Sequence, residues 1–97
     1  MKHYLVRFRP RARRDLIALY EYLSRRFSED ASFRFIQRIE SASEALATAP
    51  LRGRIVAGGS PGLRVIGFER RVSILFRVHE NSVEILRVLY GGQTIES

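Results

Sequence analysis

Apolar and polar positions alternate through the last third of the chain in three runs, Leu63 to Phe68, Val72 to Val78 and Val83 to Tyr90. Gly or short polar stretches interrupt them, which is the pattern of an antiparallel meander. Upstream, Tyr4 to Phe8 predicts a short strand, and Pro10 then stands where a first helical residue loses nothing by lacking its N–H. Ala12, Leu16, Leu19, Tyr20, Leu23 and Phe27 recur every three or four positions and predict a helix with one apolar stripe, leaving Arg13, Arg14, Glu21 and Arg25 off it. Ser28 is a suitable N-cap, with Glu29 and Asp30 placed to complement the dipole of a second helix. Its stripe runs through Phe35, Ile36, Ile39, Ala42, Leu46 and Ala49 to Pro50. So short a link makes the two helices an antiparallel hairpin.

Residues 50–62 hold Gly53, Gly58, Gly59, Pro61 and Gly62 and read as a loop. The predicted fold is α+β with the order β-α-α-β-β-β: an N-terminal strand and a helical hairpin packed on one face of a small antiparallel sheet, the other face partly open. At 97 residues the chain forms a single domain, 1–97, with one modest core. With turns at Glu69-Arg70 and at residues 79–82, strict alternation puts Leu63, Val65, Val72, Ile74, Phe76, Val78, Val83, Ile85 and Leu89 on the core face. The opposite, mixed face then collects Arg64, Ile66, Phe68, Arg71, Ser73, Leu75, Arg77, Glu84, Leu86, Val88 and Tyr90, with Arg77 across from Glu84 as a solvated pair. Arg87 falls on the core face, where an unpaired guanidinium is costly, so a carboxylate of the first helix, Asp15 or Glu21, is expected to satisfy it.

Charge sharpens this picture. The net charge is +7, and all but one of the 17 basic residues are Arg, the exception being Lys2. Residues 1–27 carry eight Lys/Arg against Asp15 and Glu21; residues 28–49 carry two Arg against four acids; residues 50–97 carry seven Arg against four Glu. Guanidinium pairs bidentately with carboxylate or phosphate and tolerates partial burial, so an acidic protein partner or a nucleic acid is expected. There is no cysteine, hence no disulfide framework or thiolate metal site, and no ligand cluster that suggests a metal or other cofactor. No signal-peptide pattern or membrane-spanning run is present, which suits a cytoplasmic protein.

Catalytic motifs are sparse. His3 and His79 lie far apart in the reading, and no evident base stands beside Arg64; Tyr90 could act as one, but a phenol is more often an amphipathic packing residue. Gly91-Gly92-Gln93 matches the tripeptide of peptide-release factors, yet as a short match at a strand exit it reads as punctuation. Gly58-Gly59-Ser60-Pro61-Gly62 lacks the Lys-Ser/Thr and following helix of a phosphate loop.

Nearly the whole chain resembles the RelE/ParE superfamily of type II toxin–antitoxin toxins, and more closely its ParE branch. The resemblance rests on Phe8-x-Pro10-x-Ala12-x-x-Asp15-Leu16, Ala31 and Phe35, Pro50-x-x-Gly53, Leu63-Arg64, Ile74-Leu75-Phe76-Arg77-Val78 and the run from Val83 to Gly91, in that order and spacing. It implies a small sheet packed on a helical hairpin. RelE-like members look like ribosome-dependent mRNA endonucleases using a Lys/Arg/Tyr set, whereas ParE-like members poison DNA gyrase without nucleolytic chemistry. Here Ile66, Ser73 and Gln93 stand at positions where the nuclease set is basic, and the chain ends at Ser97 without a C-terminal tyrosine. The resemblance therefore implies a non-enzymatic gyrase inhibitor with no catalytic residues. It also implies a cognate antitoxin whose acidic C-terminal segment wraps the domain, and contact with nucleic acid only through the target complex. Arg64, Arg71, Arg77 and Tyr90 are the candidate target-binding residues. A RelE-like mRNA endoribonuclease and a basic nucleic-acid-binding module are the alternatives.

Overall fold

The computed structural model describes residues 2–91. Its elements are β1 (Leu5–Phe8), α1 (Pro10–Ser24), α2 (Glu29–Glu44) extended by a 3-10 turn at Ala45–Ala47, β2 (Arg54–Ile55), β3 (Leu63–Phe68), β4 (Val72–Val78) and β5 (Ser82–Tyr90). Pro10 opens α1, and the Ser28 hydroxyl accepts the Ala31 N–H at 3.0 Å to cap α2, as the sequence predicts. Ala12, Leu16, Leu19 and Leu23 are buried, but Phe27 is 64% exposed, because α1 ends three residues before it.

The sheet has five strands in the order β1-β5-β4-β3-β2. It is mixed rather than wholly antiparallel: β1 runs parallel to β5, pairing Leu5 with Ser82 through to Phe8 with Ile85. The connection a parallel pair needs is long here, running through the helical hairpin and then β2, β3 and β4. The segment predicted as one loop contributes the short edge strand β2, with Arg54 opposite Val65 and Ile55 opposite Arg64. Gly53 precedes it at φ +79°, where an added Cβ would sit 2.3 Å from the Val65 carbonyl oxygen.

Two departures from the predicted register reassign side chains between the faces. Phe68 pairs with Val72, so the β3–β4 loop has three residues, Glu69, Arg70 and Arg71, and not two. A shift of one residue turns a whole strand over. Arg64, Ile66 and Phe68 therefore share the helix-covered face with Phe76, Ile74 and Val72, while Leu63 and Val65 move to the other face. Between β4 and β5, the expected pairs Val78–Val83 and Arg77–Glu84 form, but the register slips between Leu75 and Phe76, leaving Leu86 without a partner across the strands. Beyond this bulge the alternation is reset, so Val88 and Tyr90 face the helices and Leu89, opposite Ser73, faces away.

The main core lies between the hairpin and the sheet, with Ile39, Leu46, Ile74, Phe76, Val83 and Ile85 at its centre. The opposite face is not simply open. Leu63, Val65 and Leu75 form a second small buried cluster against which Val56 and Leu86 pack. No helix among the described residues is long and apolar enough to cross a membrane.

Candidate functional site

Asp15 and Arg87 organise the junction between α1 and β5. Arg87 donates to Asp15 through Nε at 2.8 Å and Nη2 at 3.1 Å, and the Val88 N–H donates to the same carboxylate at 2.8 Å. β1 stops opposite Ile85, so among the described residues no strand pairs with the β5 edge beyond that point, and the Asp15 carboxylate accepts the Val88 N–H there. Of the two carboxylates the sequence offers for Arg87, Asp15 makes the pair, and Glu21 lies on the exposed side of α1. The bulge takes Arg87 off the predicted core face and sets it opposite Leu75, so it pairs with Asp15 without entering the apolar centre of the core.

Above this junction opens a cleft of about 490 Å3 lined by Asp15, Tyr22, Arg71, Val88, Tyr90 and Gly91, among others. The Gly91 N–H donates to the Arg71 carbonyl at 2.8 Å, which ties the β3–β4 loop to the end of β5. That loop holds two successive non-glycine residues in the left-handed region, Glu69 at φ 47° and Arg70 at φ 67°. Each costs about 1–2 kcal/mol. The Arg38 guanidinium, bidentate on the Glu69 carboxylate at 2.8 and 3.1 Å, helps hold the loop in this shape. The Arg38 hydrogen bonds also hold the Glu69 carboxyl below its ordinary pKa.

Aromatic rings run from the cleft across the adjoining surface. Tyr22 lies 6.1 Å from Tyr90, Tyr90 lies 6.5 Å from Phe35 edge-on, and Phe35 lies 6.3 Å from Phe68, all between ring centroids. Arg26 sits over Tyr22 at 4.8 Å and Arg38 over Phe35 at 5.2 Å.

The four predicted target-binding residues do not share a face. Arg71 and Tyr90 meet in the cleft. Arg64, opposite Phe76, is on the helix-covered face near the β2 edge, where it donates to the Leu51 carbonyl at 3.1 Å. Arg77, opposite Leu63, is on the other face and donates to the Ser60 hydroxyl. The three-residue loop is the physical reason, since it inverts β3 relative to the two-residue expectation. Nor does Arg77 pair with Glu84 through its side chain: the Glu84 carboxylate accepts from Arg9 at 3.0 Å and meets His79 Nε2 at 3.1 Å. Tyr22, Arg26, Phe35 and Arg38 are not evident as site residues from the sequence. Their only signal there is an aromatic, Tyr22, standing just off the apolar stripe of α1.

Glu84 gives the molecule an acid-sensitive contact. Hydrogen bonding to His79, with the Arg9 charge close by, holds its carboxyl below the ordinary glutamate value of 4.5. A carboxyl depressed on folding contributes stability that is whole above its unfolded pKa and is lost as pH falls through the folded one. Urea midpoints should therefore decline on acidification below about pH 4.5. Glu84→Gln should flatten part of that decline and cost about 1 kcal/mol or less at pH 7. Glu69 titrates in the same direction and accounts for part of the remaining slope. An unchanged acid limb in Glu84→Gln would show that this contact carries none of the pH dependence.

A second surface lies on the outside of the hairpin. Arg13, Leu16, Ile17, Tyr20, Phe33, Ile36 and Glu40 line a shallow, mostly apolar groove of about 490 Å3 between α1 and α2. Ile17 and Phe33 are 59% and 54% exposed, although both are large and apolar. Among the described residues no group of three or more His, Asp or Glu could hold a metal ion. Gly92 and Gln93 lie outside the described residues.

A mixed sheet packed against a helical hairpin is the fold of the RelE/ParE toxins. Residues 6–95 match the family model described as the ParE toxin of the type II toxin–antitoxin system parDE, and the chain belongs to that family. Among solved structures it is similar to a chain of the chromosomal ParDE toxin–antitoxin system from P. aeruginosa, with a TM-score of 0.80 and 23% identity over 92% of this chain and 97% of that one. It is also similar to a chain of the toxin–antitoxin complex RelBE2 from Mycobacterium tuberculosis, with a TM-score of 0.70 and 26% identity over 91% of this chain and 98% of that one. No curated protein sequence matches it. The chain is a toxin of a type II toxin–antitoxin system, of the RelE/ParE superfamily.

Proposed function

We propose that this toxin inhibits DNA gyrase without catalysing a reaction of its own, and that a cognate antitoxin neutralises it. The observation that carries the first part is how the candidate catalytic groups are spent. Cleavage of RNA by attack of a 2′-hydroxyl needs a base, an acid and cations converging on one phosphate. Arg64 and Arg77 are on opposite faces, the Tyr90 ring is packed between Tyr22 and Phe35, and Asp15 is consumed by Arg87 and the Val88 N–H. Glu69 and Glu84 are held ionised by Arg38 and by His79 with Arg9, which weakens both as bases. Supercoiling and cleavage assays with purified gyrase, alongside mRNA integrity in cells expressing the toxin alone, test this. Gyrase-linked DNA breaks with intact mRNA are expected. Codon-positioned mRNA cuts with unaffected gyrase would move the chain to the endoribonuclease class.

The outer groove supports the antitoxin reading. A helix that lays an apolar face into a groove is a recurrent mode of recognition, anchored by residues three and four apart. Ile17 and Phe33 are the exposed apolar anchors on this side, and a net charge of +7 favours an acidic segment as the partner. Both similar solved structures belong to toxin–antitoxin systems.

A further inference from the structure

We propose that the aromatic and arginine-rich end of the domain, where Tyr22, Tyr90 and Arg71 line the cleft with Arg26 and Arg70 beside it, is a binding surface for single-stranded nucleic acid. This does not depend on which macromolecule the toxin inhibits. Three observations converge on it. The first is charge that no carboxylate pairs: Arg26, Arg70 and Arg71 make no salt bridge among the described residues, Arg26 lies over the Tyr22 ring, and the carboxylates of Asp15 and Glu69 are already taken by Arg87 and Arg38. An incoming phosphate therefore meets guanidinium groups that no described carboxylate pairs. The second is the row of rings from Tyr22 through Tyr90 and Phe35 to Phe68, with Tyr22 39% exposed. Aromatic faces interleaved with basic side chains are how strands are held without sequence preference, since every base has a face to stack. The third is presentation: the Arg38–Glu69 pair and the Gly91–Arg71 hydrogen bond fix a left-handed loop that carries Arg70 and Arg71 at its tip.

These features favour a nucleic acid strand over an acidic peptide, which would use the arginines but not the part-exposed ring of Tyr22. A base would enter the cleft, of about 490 Å3, against the part-exposed ring of Tyr22. The flanking phosphates would lie on Arg26, Arg70 and Arg71.

Fluorescence anisotropy with a labelled oligothymidine of about 16 nucleotides, using the intact toxin at several salt concentrations between about 50 and 200 mM, is the test. Saturable binding is expected, stronger than to a duplex of the same length. The triple variant Arg26→Ala/Arg70→Ala/Arg71→Ala should lower the salt slope by about 2, since each phosphate of a single strand that no longer meets a guanidinium removes about 0.7. Tyr22→Ala should weaken binding by about 5-fold or more while Tyr22→Phe, which keeps the ring, binds as the parent does. Arg52→Ala/Arg54→Ala, on the far edge of the sheet, should change little. No saturable binding would overturn the proposal. So would an unaltered affinity in Tyr22→Ala, equal binding to the duplex, or a loss in the Arg52/Arg54 variant as large as in the triple one. Thermal melts of each variant separate loss of the surface from loss of the fold.

Discussion

Asp15→Ala should lower stability by about 2–3 kcal/mol, the largest effect expected of any single charged residue in this domain. The carboxylate accepts three hydrogen bonds, two from Arg87 and one from the Val88 N–H, and its side chain is only 12% exposed. Losing one partner of a buried pair commonly costs about 3–5 kcal/mol. The Arg87 side chain is 29% exposed and can recover some hydration, which sets the lower figure. For a domain of this size the melting temperature should fall by about 10 °C or more. Arg87→Met alone leaves a mostly buried carboxylate, whereas Asp15→Leu/Arg87→Met removes both charges and should recover much of the loss. Urea unfolding of the parent and these three variants measures this directly. Below its melting temperature, Arg87→Met should still arrest growth when expressed alone. A folded but harmless Arg87→Met would show that the arginine acts on the target and not only on the fold.

Ile17→Glu/Phe33→Glu should abolish neutralisation while leaving toxicity intact. Apolar anchors at the centre of an interface often carry about 2 kcal/mol or more each, so the pair should weaken antitoxin binding by about 100-fold or more. The new charges would also repel an acidic partner. Because both side chains are more than half exposed, the fold should be little affected. Calorimetric titration with the purified antitoxin, and growth of cells expressing both proteins, provide two independent readings. Full rescue of growth by the antitoxin would place its docking surface elsewhere.

The two predictions draw on very different amounts of sequence information. The need of Arg87 for a carboxylate, and Asp15 as one of two suppliers, follows from the position of a charge within an apolar run. The exposure of Ile17 and Phe33 is visible in the helical phase, since both fall outside the stripes that define the cores of α1 and α2. The aromatic row is far less legible. Tyr22, Phe35, Phe68 and Tyr90 come from four elements, and no local pattern says that their rings will meet.

By itself the sequence determined the order of every element but the short edge strand β2, both helices, the Pro10 and Ser28 starts, and the pairing across the last turn, because each is set by residues within a few positions of one another. Only the tertiary structure decided which side of the sheet the residues of β3 and of the end of β5 serve. A three-residue loop in place of a two-residue one inverted β3, separating Arg64 from Arg77. A bulge at Leu86 sent Val88 and Tyr90 to the helix side and took Arg87 off the core face, opposite Leu75. Side chains alternate with a period of two, so a single extra residue carries every later position to the opposite face. Loop length and bulges are chosen by the packing of the whole sheet against the hairpin, which no run of neighbouring residues encodes.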